Sequence, residues 1–157
     1  MIFDHIGLFV RDIEAGRRQL GALLPIAHWT EVVDDPLMNV RIQFGLDRSG
    51  IRYELVAPLG EPNPVARALD EGKNILNHVA YRCADFESAC ASLRREHAVP
   101  LGRPQPAAAF DGGRLLVESL DGVVSGALAR AVAQGAQLRA HGAKLGQCLP
   151  GLERVVI

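Results

Sequence analysis

The sequence has few cysteines, and they form no recognisable motif. Cys83, Cys90 and Cys148 are an odd number, and no Cys-x-x-Cys pair is present. This spacing argues against a disulfide framework and against a cysteine-ligated zinc or redox site. We therefore interpret the cysteines as buried free thiols.

The chain also lacks a charge excess and a long apolar run. The 17 Lys and Arg residues nearly balance the 18 Asp and Glu residues, giving a formal net charge of −1, and no basic stripe indicates a nucleic-acid partner. No apolar run approaches the roughly 20 residues that span a bilayer, and the N-terminus lacks the features of a signal peptide. We expect a cytoplasmic protein with neither nucleic acid nor membrane as partner.

What the sequence does contain is an internal repeat. Residues 4–20 align with residues 77–93 when the chain is shifted by 73 positions. The identical pairs are His5/His78, Asp12/Asp85, Glu14/Glu87 and Leu20/Leu93, and the conservative pairs include Ile6/Val79, Gly7/Ala80 and Ile13/Phe86. The agreement in kind and position indicates a duplicated structural unit.

Each copy of the repeat predicts a strand, an aspartate cap and a helix. Asp12 and Asp85 stand where a helix N-cap belongs, and helices are predicted over residues 13–24 and 86–97. In the first strand, alternation predicts one face shared by Phe3, His5, Gly7 and Phe9.

Further strands are predicted after each helix. Residues 40–46 and 51–57 alternate in polarity around a short turn, which predicts a β-hairpin. Residues 113–120 and 123–127 flank Asp121-Gly122 and predict a second hairpin. Between the halves, residues 65–71 predict a short amphipathic helix in a connector rich in proline and glycine.

These elements predict an α+β fold of two tandem βαβββ modules that form a curved mixed sheet with the helices outside. We divide the single domain into module one (1–60), a connector (61–74), module two (75–126) and an atypical tail (127–157). The tail has two alternative interpretations: a helix from about Leu128 to His141, or a natural or cloning-derived frameshift that replaced the usual final strand.

Three motifs at consistent spacing resemble the glyoxalase/bleomycin-resistance (vicinal oxygen chelate) superfamily. They are Asp-His-Ile-Gly at 4–7, Glu-Leu-Val-Ala-Pro-Leu at 54–59 and Asn-His-Val-Ala-Tyr at 77–81. The resemblance covers residues 2 to about 122 and is greatest to methylmalonyl-CoA epimerases. It implies a glyoxalase-like fold, a homodimer, and a divalent metal held by His5, Glu54 and His78.

The resemblance also implies a fourth ligand, a Glu on the last strand, which this sequence does not supply. Gly126 stands opposite Glu54 when the two hairpins are aligned, and the nearest carboxylate is Glu118. Two imidazoles with one or two carboxylates suit Co²⁺, Mn²⁺, Ni²⁺, Zn²⁺ or Fe²⁺, and three ligands leave positions open for a substrate.

The chemistry implied is epimerisation of an acyl-CoA-like carbonyl compound. The metal would act as a Lewis acid that stabilises an enolate, and a carboxylate would move the proton, for which Glu54 and Glu118 are the candidates. Gln43 and Arg41 form a polar pair on one strand face and are candidate substrate contacts.

Three alternative functions follow from the same resemblance. A lactoylglutathione lyase would use the same metal on a hemithioacetal. A ring-cleaving dioxygenase would use Fe²⁺ with two histidines and one carboxylate, although such enzymes usually take their Glu from the last strand. A ligand-binding protein of the bleomycin-resistance type would use the concave face without catalysis, and the absent last-strand Glu favours it.

Overall fold

Each copy of the repeat folds into a strand followed by a helix whose first turn is capped by an aspartate. In the computed structural model, which describes residues 1–72, 76–100, 103–110, 113–119 and 153–156, Asp12 accepts a hydrogen bond from the backbone N–H of Ala15. Asp85 accepts one from the backbone N–H of Ser88. Because a helix N-terminus leaves its first amides without partners, both aspartates stabilise the helix that they begin.

The predicted helices and the first hairpin are confirmed, with end positions that differ by at most two residues. The elements are β1 (Ile2–Phe9), α1 (Ile13–Leu23), β2 (Ile26–Trp29), β3 (Val33–Asp35), β4 (Val40–Asp47), β5 (Arg52–Pro58), α2 (Pro64–Asp70), β6 (Leu76–Cys83), α3 (Phe86–Arg95), β7 (Val99–Pro100), β8 (Gln105–Pro106), a 3₁₀ turn (Ala108–Phe110), β9 (Arg114–Ser119) and β10 (Glu153–Val156). Among the described residues, no helix has both the length and the apolar character needed to cross a membrane.

The strands form a mixed sheet, which together with the helices gives the α+β class predicted from the sequence. Their order is β2-β4-β5-β1-β6-β10-β9-β7, with β3 beside β4 and β8 beside β9. Strand β1 lies parallel to β5 and antiparallel to β6. Side chains that these three neighbouring strands present on one face therefore lie side by side.

Apolar side chains cover both faces of the sheet. On β5, Leu55 and Ala57 pack with Ile13 of α1, whereas Val56 belongs to a second cluster that includes Phe44. Alternate residues of a strand point to opposite faces, so we call the face that carries Val56 and Phe44 the inner face and the face that carries α1 the outer face. Burial on both faces fixes the strand register, because a one-residue slip would move the side chains of one face to the other.

The pairing of β1 with β6 contains two register breaks, and the first corrects a prediction. Phe3 pairs with Tyr81 and His5 pairs with the adjacent Ala80, so Asp4 is an extra residue on β1. Such a β-bulge interrupts the alternation of side chains. The prediction that Phe3 shares a face with His5 is therefore wrong, and Phe3 packs against the ring of Tyr81 instead.

The end of the second module differs from the end of the first. Strand β5 is parallel to β1, whereas β10 is antiparallel to β6 and parallel to β9. The predicted strand over residues 113–120 is confirmed as β9. The turn at Asp121-Gly122, the segment around Gly126 and the alternative tail helix all lie outside the described residues.

Candidate metal centre

The three predicted metal ligands lie together on the inner face, on three adjacent strands. Gly7 of β1 pairs in register with Glu54 of β5 on one side and with His78 of β6 on the other. His5 lies two residues before Gly7 and therefore shares its face. The structure thus brings His5, Glu54 and His78 into one group of potential ligands.

The absence of a side chain at Gly7 makes room for this group. A Cβ atom at Gly7 would overlap the imidazole ring of His78, so glycine is needed here for close approach rather than for backbone freedom. His5 in turn lies opposite Ala80, which is the repeat partner of Gly7. Each histidine therefore faces a small residue on the other strand, as a consequence of the duplication.

The distances between the ligand atoms suit a divalent metal ion. His5 Nε2 lies 3.3 Å from His78 Nε2 and 3.3 Å from Glu54 Oε2, and His78 Nε2 lies 3.0 Å from Glu54 Oε2. A transition-metal ion holds such atoms at about 2.0–2.2 Å, which places neighbouring ligands roughly 3–3.5 Å apart. All three atoms point to one position, so the residues present fit the ion.

Burial and charge together bias the protonation of the group. Burial by itself raises the pKa of Glu54, but the positive charge and hydrogen bonds of His5, and those of His78, outweigh burial and lower that pKa to about 2. Burial lowers the pKa of His5, but Glu54 and Asp4 outweigh it, so the pKa of His5 lies above its ordinary value. The carboxylate is therefore ionised at neutral pH, as a metal ligand must be.

Two aromatic rings enclose the His5 imidazole, which is fully buried. Phe44 meets it edge-on at a centroid distance of 5.3 Å, and Phe110 of the 3₁₀ turn stacks on it at 5.9 Å. These contacts hold the ring in one orientation and exclude water behind it. Phe110 could not be predicted from the sequence, because its role depends on a turn that no periodic pattern indicates.

Asp4 is a further residue of the site that sequence reasoning missed. Its Oδ2 lies 2.9 Å from His5 Nδ1, and its Oδ1 lies 3.2 Å from an Arg52 nitrogen and 2.9 Å from Arg82 Nε. In a regular strand the side chains of Asp4 and His5 would point to opposite faces, but the bulge at Asp4 interrupts this alternation. The sequence did offer one sign of this role, because Asp4 is a carboxylate directly before the predicted ligand His5.

Gln43 and Arg41, the predicted substrate contacts, lie on the outer face. They pair in register with Leu55 and Ala57, whereas Phe44 pairs with Glu54. Gln43 donates a hydrogen bond to the Thr30 carbonyl, and Arg41 binds Asp34 in a bidentate ion pair. The structure does not bring these two residues to the metal ligands, and a role in substrate binding stays a prediction.

Glu118, the second predicted proton carrier, lies on β9. Its backbone pairs with Pro100 of β7, and β10 separates β9 from the ligand-bearing strand β6. Its catalytic role also stays a prediction.

The fold and the three-residue group define an α+β protein with a candidate divalent-metal site. The model of the Glyoxalase/Bleomycin resistance protein/Dioxygenase superfamily matches residues 4–116. The chain therefore belongs to this superfamily, whose members typically bind a divalent metal. No curated protein matches the sequence.

Solved structures with the same fold include proteins of known and unknown activity. A hypothetical protein from Bacillus halodurans is 20% identical, with a TM-score of 0.64 over 98% of this chain and 91% of that one. The methylmalonyl-CoA epimerase of Mycobacterium tuberculosis is 17% identical, with a TM-score of 0.64 over 98% and 85%. A Streptomyces coelicolor methylmalonyl-CoA epimerase variant, in complex with 2-nitronate-propionyl-CoA, is 17% identical, with a TM-score of 0.62 over 99% and 96%. At these identities the likeness shows the fold, which is the glyoxalase-like fold expected from the motifs.

Proposed function

We propose that this protein is a divalent-metal-dependent isomerase or epimerase that acts on an acyl-CoA-like carbonyl compound. The observation that carries the proposal is the convergence of His5 Nε2, His78 Nε2 and Glu54 Oε2 on one position, with separations of 3.0–3.3 Å. Three protein ligands leave open coordination positions, and open positions distinguish catalytic metal sites from closed structural ones.

The choice of substrate class rests on the structural neighbours. They include a methylmalonyl-CoA epimerase in complex with methylmalonyl-CoA and another in complex with 2-nitronate-propionyl-CoA. Both ligands are acyl-CoA compounds. The motif resemblance around His5, Glu54 and His78 points to the same group of proteins.

In this proposal the ligand residues hold Co²⁺, Mn²⁺, Ni²⁺, Zn²⁺ or Fe²⁺. When bound, such an ion supplies Lewis-acid activation that acidifies a C–H bond next to a carbonyl. Glu54, whose pKa is about 2, is too weak a base to remove that proton efficiently near neutral pH, so its main role is to bind the ion. Glu118 is proposed as a proton carrier on the grounds of the sequence alone.

A homodimer and a cytoplasmic location belong to the same proposal. The homodimer is supported by the family resemblance, and the location by the sequence-based expectation.

A second candidate is a ligand-binding protein without turnover. Within the described residues, the metal-ligating group contains a single carboxylate, Glu54, whereas epimerisation requires groups that remove a proton and return one. Such a protein would bind the metal and a ligand on the inner face without catalysing proton transfer.

Exchange of the substrate α-proton separates the two candidates. The protein loaded with Co²⁺ or Mn²⁺ is incubated with methylmalonyl-CoA in D₂O, and deuterium incorporation is followed by NMR. We expect incorporation that is lost in the His5→Ala/His78→Ala double variant and retained in His28→Ala, which removes an exposed histidine from β2. Metal binding without exchange would favour the ligand-binding candidate, and exchange that persists in the double variant would contradict the proposed site.

A further inference from the structure

The two register breaks between β1 and β6 occur at equivalent places of the repeat. Asp4 is the extra residue on β1, and Asn77, its partner at a shift of 73 positions, is the extra residue on β6. Each bulge turns a side chain toward the histidine that follows it. Asp4 Oδ2 lies 2.9 Å from His5 Nδ1, and Asn77 Oδ1 lies 3.1 Å from His78 Nδ1.

These contacts fix which nitrogen of each ring faces the ligand group. An ionised carboxylate and an amide oxygen can only accept hydrogen bonds, so Nδ1 of each ring is the donor. The Glu54 carboxylate, 3.3 Å from His5 Nε2 and 3.0 Å from His78 Nε2, competes for the same ring protons in the metal-free protein. A metal ion would replace the proton on Nε2, and Nδ1 would then keep its hydrogen bond to Asp4 or Asn77. A hydrogen bond at the far nitrogen is also how metal-binding histidines are commonly oriented and made more basic.

We propose that Asp4 and Asn77 are positioning residues that hold His5 and His78 ready for the metal, an inference that rests on the proposed metal site. The two residues differ in how strongly they hold the histidine beside them. Asp4 is charged and buried; Arg52 donates a hydrogen bond to its other oxygen at 3.2 Å, and Arg82 Nε lies 2.9 Å from that oxygen as an ion pair. Asn77 is neutral and exposed, so water can replace its oxygen. Asp4 therefore makes the larger contribution.

The test compares three variants by titration with Zn²⁺ in competition with a chelator. We expect Asp4→Asn, which removes the charge but can keep an acceptor oxygen, to weaken zinc binding by at least about tenfold. Asn77→Ala weakens it less, by up to about tenfold. The matched control is Asp47→Asn, which alters a buried aspartate that accepts from the backbone N–H groups of Ser49 and Ile51 in the turn between β4 and β5. We expect it to lower Tm without changing zinc affinity.

A second readout follows the ring nitrogens directly, by ¹⁵N NMR of the zinc-loaded protein. We expect the proton of His5 on Nδ1 in the wild type, and a shift of the Nδ1 signal in Asp4→Asn that Asp47→Asn does not produce. A purely structural role for Asp4 would change Tm but not this signal. Asn77 is exposed, so Asn77→Ala should leave the fold intact. It therefore provides the same test on the His78 ring if Asp4→Asn does not fold.

The outcomes separate the inference from the proposed function. Unchanged zinc affinity and unchanged ring signals in both Asp4→Asn and Asn77→Ala would overturn the inference while leaving the metal site intact. Absence of zinc binding by the wild type would overturn the proposed function instead. In that case the ring signals of the metal-free protein decide the positioning roles. A shift of the His5 Nδ1 signal in Asp4→Asn and of the His78 Nδ1 signal in Asn77→Ala supports them, and unchanged Nδ1 signals in both variants overturn them.

Discussion

Gly7 and His78 lie directly across from each other on β1 and β6, and the imidazole of His78 occupies the space that a side chain at Gly7 would fill. The same glycine pairs with Glu54 on its other side. The ligand group is therefore built around a missing side chain at the centre of the sheet.

Substitution of this glycine tests that relationship. We predict that Gly7→Ala displaces the His78 ring and lowers divalent-metal affinity by at least about tenfold, since even small misplacement of a ligand weakens a metal site. Isothermal titration with Co²⁺ measures the change. The matched control is Gly21→Ala in α1, where an added Cβ meets no atom within 4 Å. It should keep the affinity and raise stability by about 0.5–1 kcal/mol. Equal affinities for the two variants would contradict the predicted steric role.

Metal binding is predicted to depend on pH through His5. The pKa of His5 is raised because Glu54 and Asp4 outweigh the effect of burial, so protons compete with the metal at a higher pH than for an ordinary histidine. Affinity should therefore rise as the pH increases through the raised pKa of His5, which lies above the ordinary value of 6.5, with release of protons on binding. Calorimetry in two buffers with different ionisation enthalpies measures the released protons. A constant affinity and a buffer-independent heat would contradict the prediction.

The stability of the metal-free protein is predicted to depend on the same group. Glu54 has a pKa lowered to about 2, so its stabilisation is present above its ordinary pKa of 4.5 and is lost as the pH falls toward 2. His5 has a raised pKa, so its stabilisation is present below 6.5 and is lost as the pH rises through the folded-state value. The combined contribution is therefore greatest between about pH 4.5 and 6.5.

Urea unfolding of the metal-free wild type and of Glu54→Gln over a pH series measures this contribution. The free energy of unfolding of the wild type should exceed that of the variant most between about pH 4.5 and 6.5, by on the order of a few kcal/mol. The difference should shrink at lower and at higher pH. A difference that is independent of pH would show that Glu54 acts through packing and not through its charge.

The aromatic enclosure of His5 gives a fourth prediction. Phe110→Ala removes a ring that stacks on His5 and also contacts Phe44, so we expect a loss of about 3–5 kcal/mol in the free energy of unfolding. Phe110→Leu keeps most of the apolar volume and should cost less. Thermal or urea unfolding measures both. Equal stabilities of these variants and the wild type would show that the ring does not enclose the site.

Much of the fold could be predicted because its signals are local or repeated. Asp12 and Asp85 mark helix starts through an interaction that spans three residues, and the 73-residue repeat places His5 and His78 on equivalent strands. Strand alternation correctly grouped His5 with Gly7. The bulges at Asp4 and Asn77 were not predictable, because a bulge arises from the pairing of two strands and not from either strand alone.

The positions of Gln43, Arg41 and Phe110 could not be predicted for a similar reason, because they depend on contacts between elements that are distant in the sequence. Gln43 and Arg41 alternate with apolar residues, but alternation gives two faces without saying which is the inner one. Only the pairing of Gln43 with Leu55, on the side of α1, assigns that face. Phe110 reaches His5 through the 3₁₀ turn between β8 and β9, a contact across 105 positions of the chain that no periodicity encodes.

Metal content tests the central claim most directly. The measurement is elemental analysis of the purified protein after loading with a divalent ion and removal of excess, beside the His5→Ala/His78→Ala variant and the His28→Ala control treated identically. We predict about one ion per chain in the wild type and in His28→Ala, and none in the double variant, because three ligands converge on one position. An ion content that is the same in all three proteins, or absent from the wild type, would contradict a metal centre at His5, Glu54 and His78.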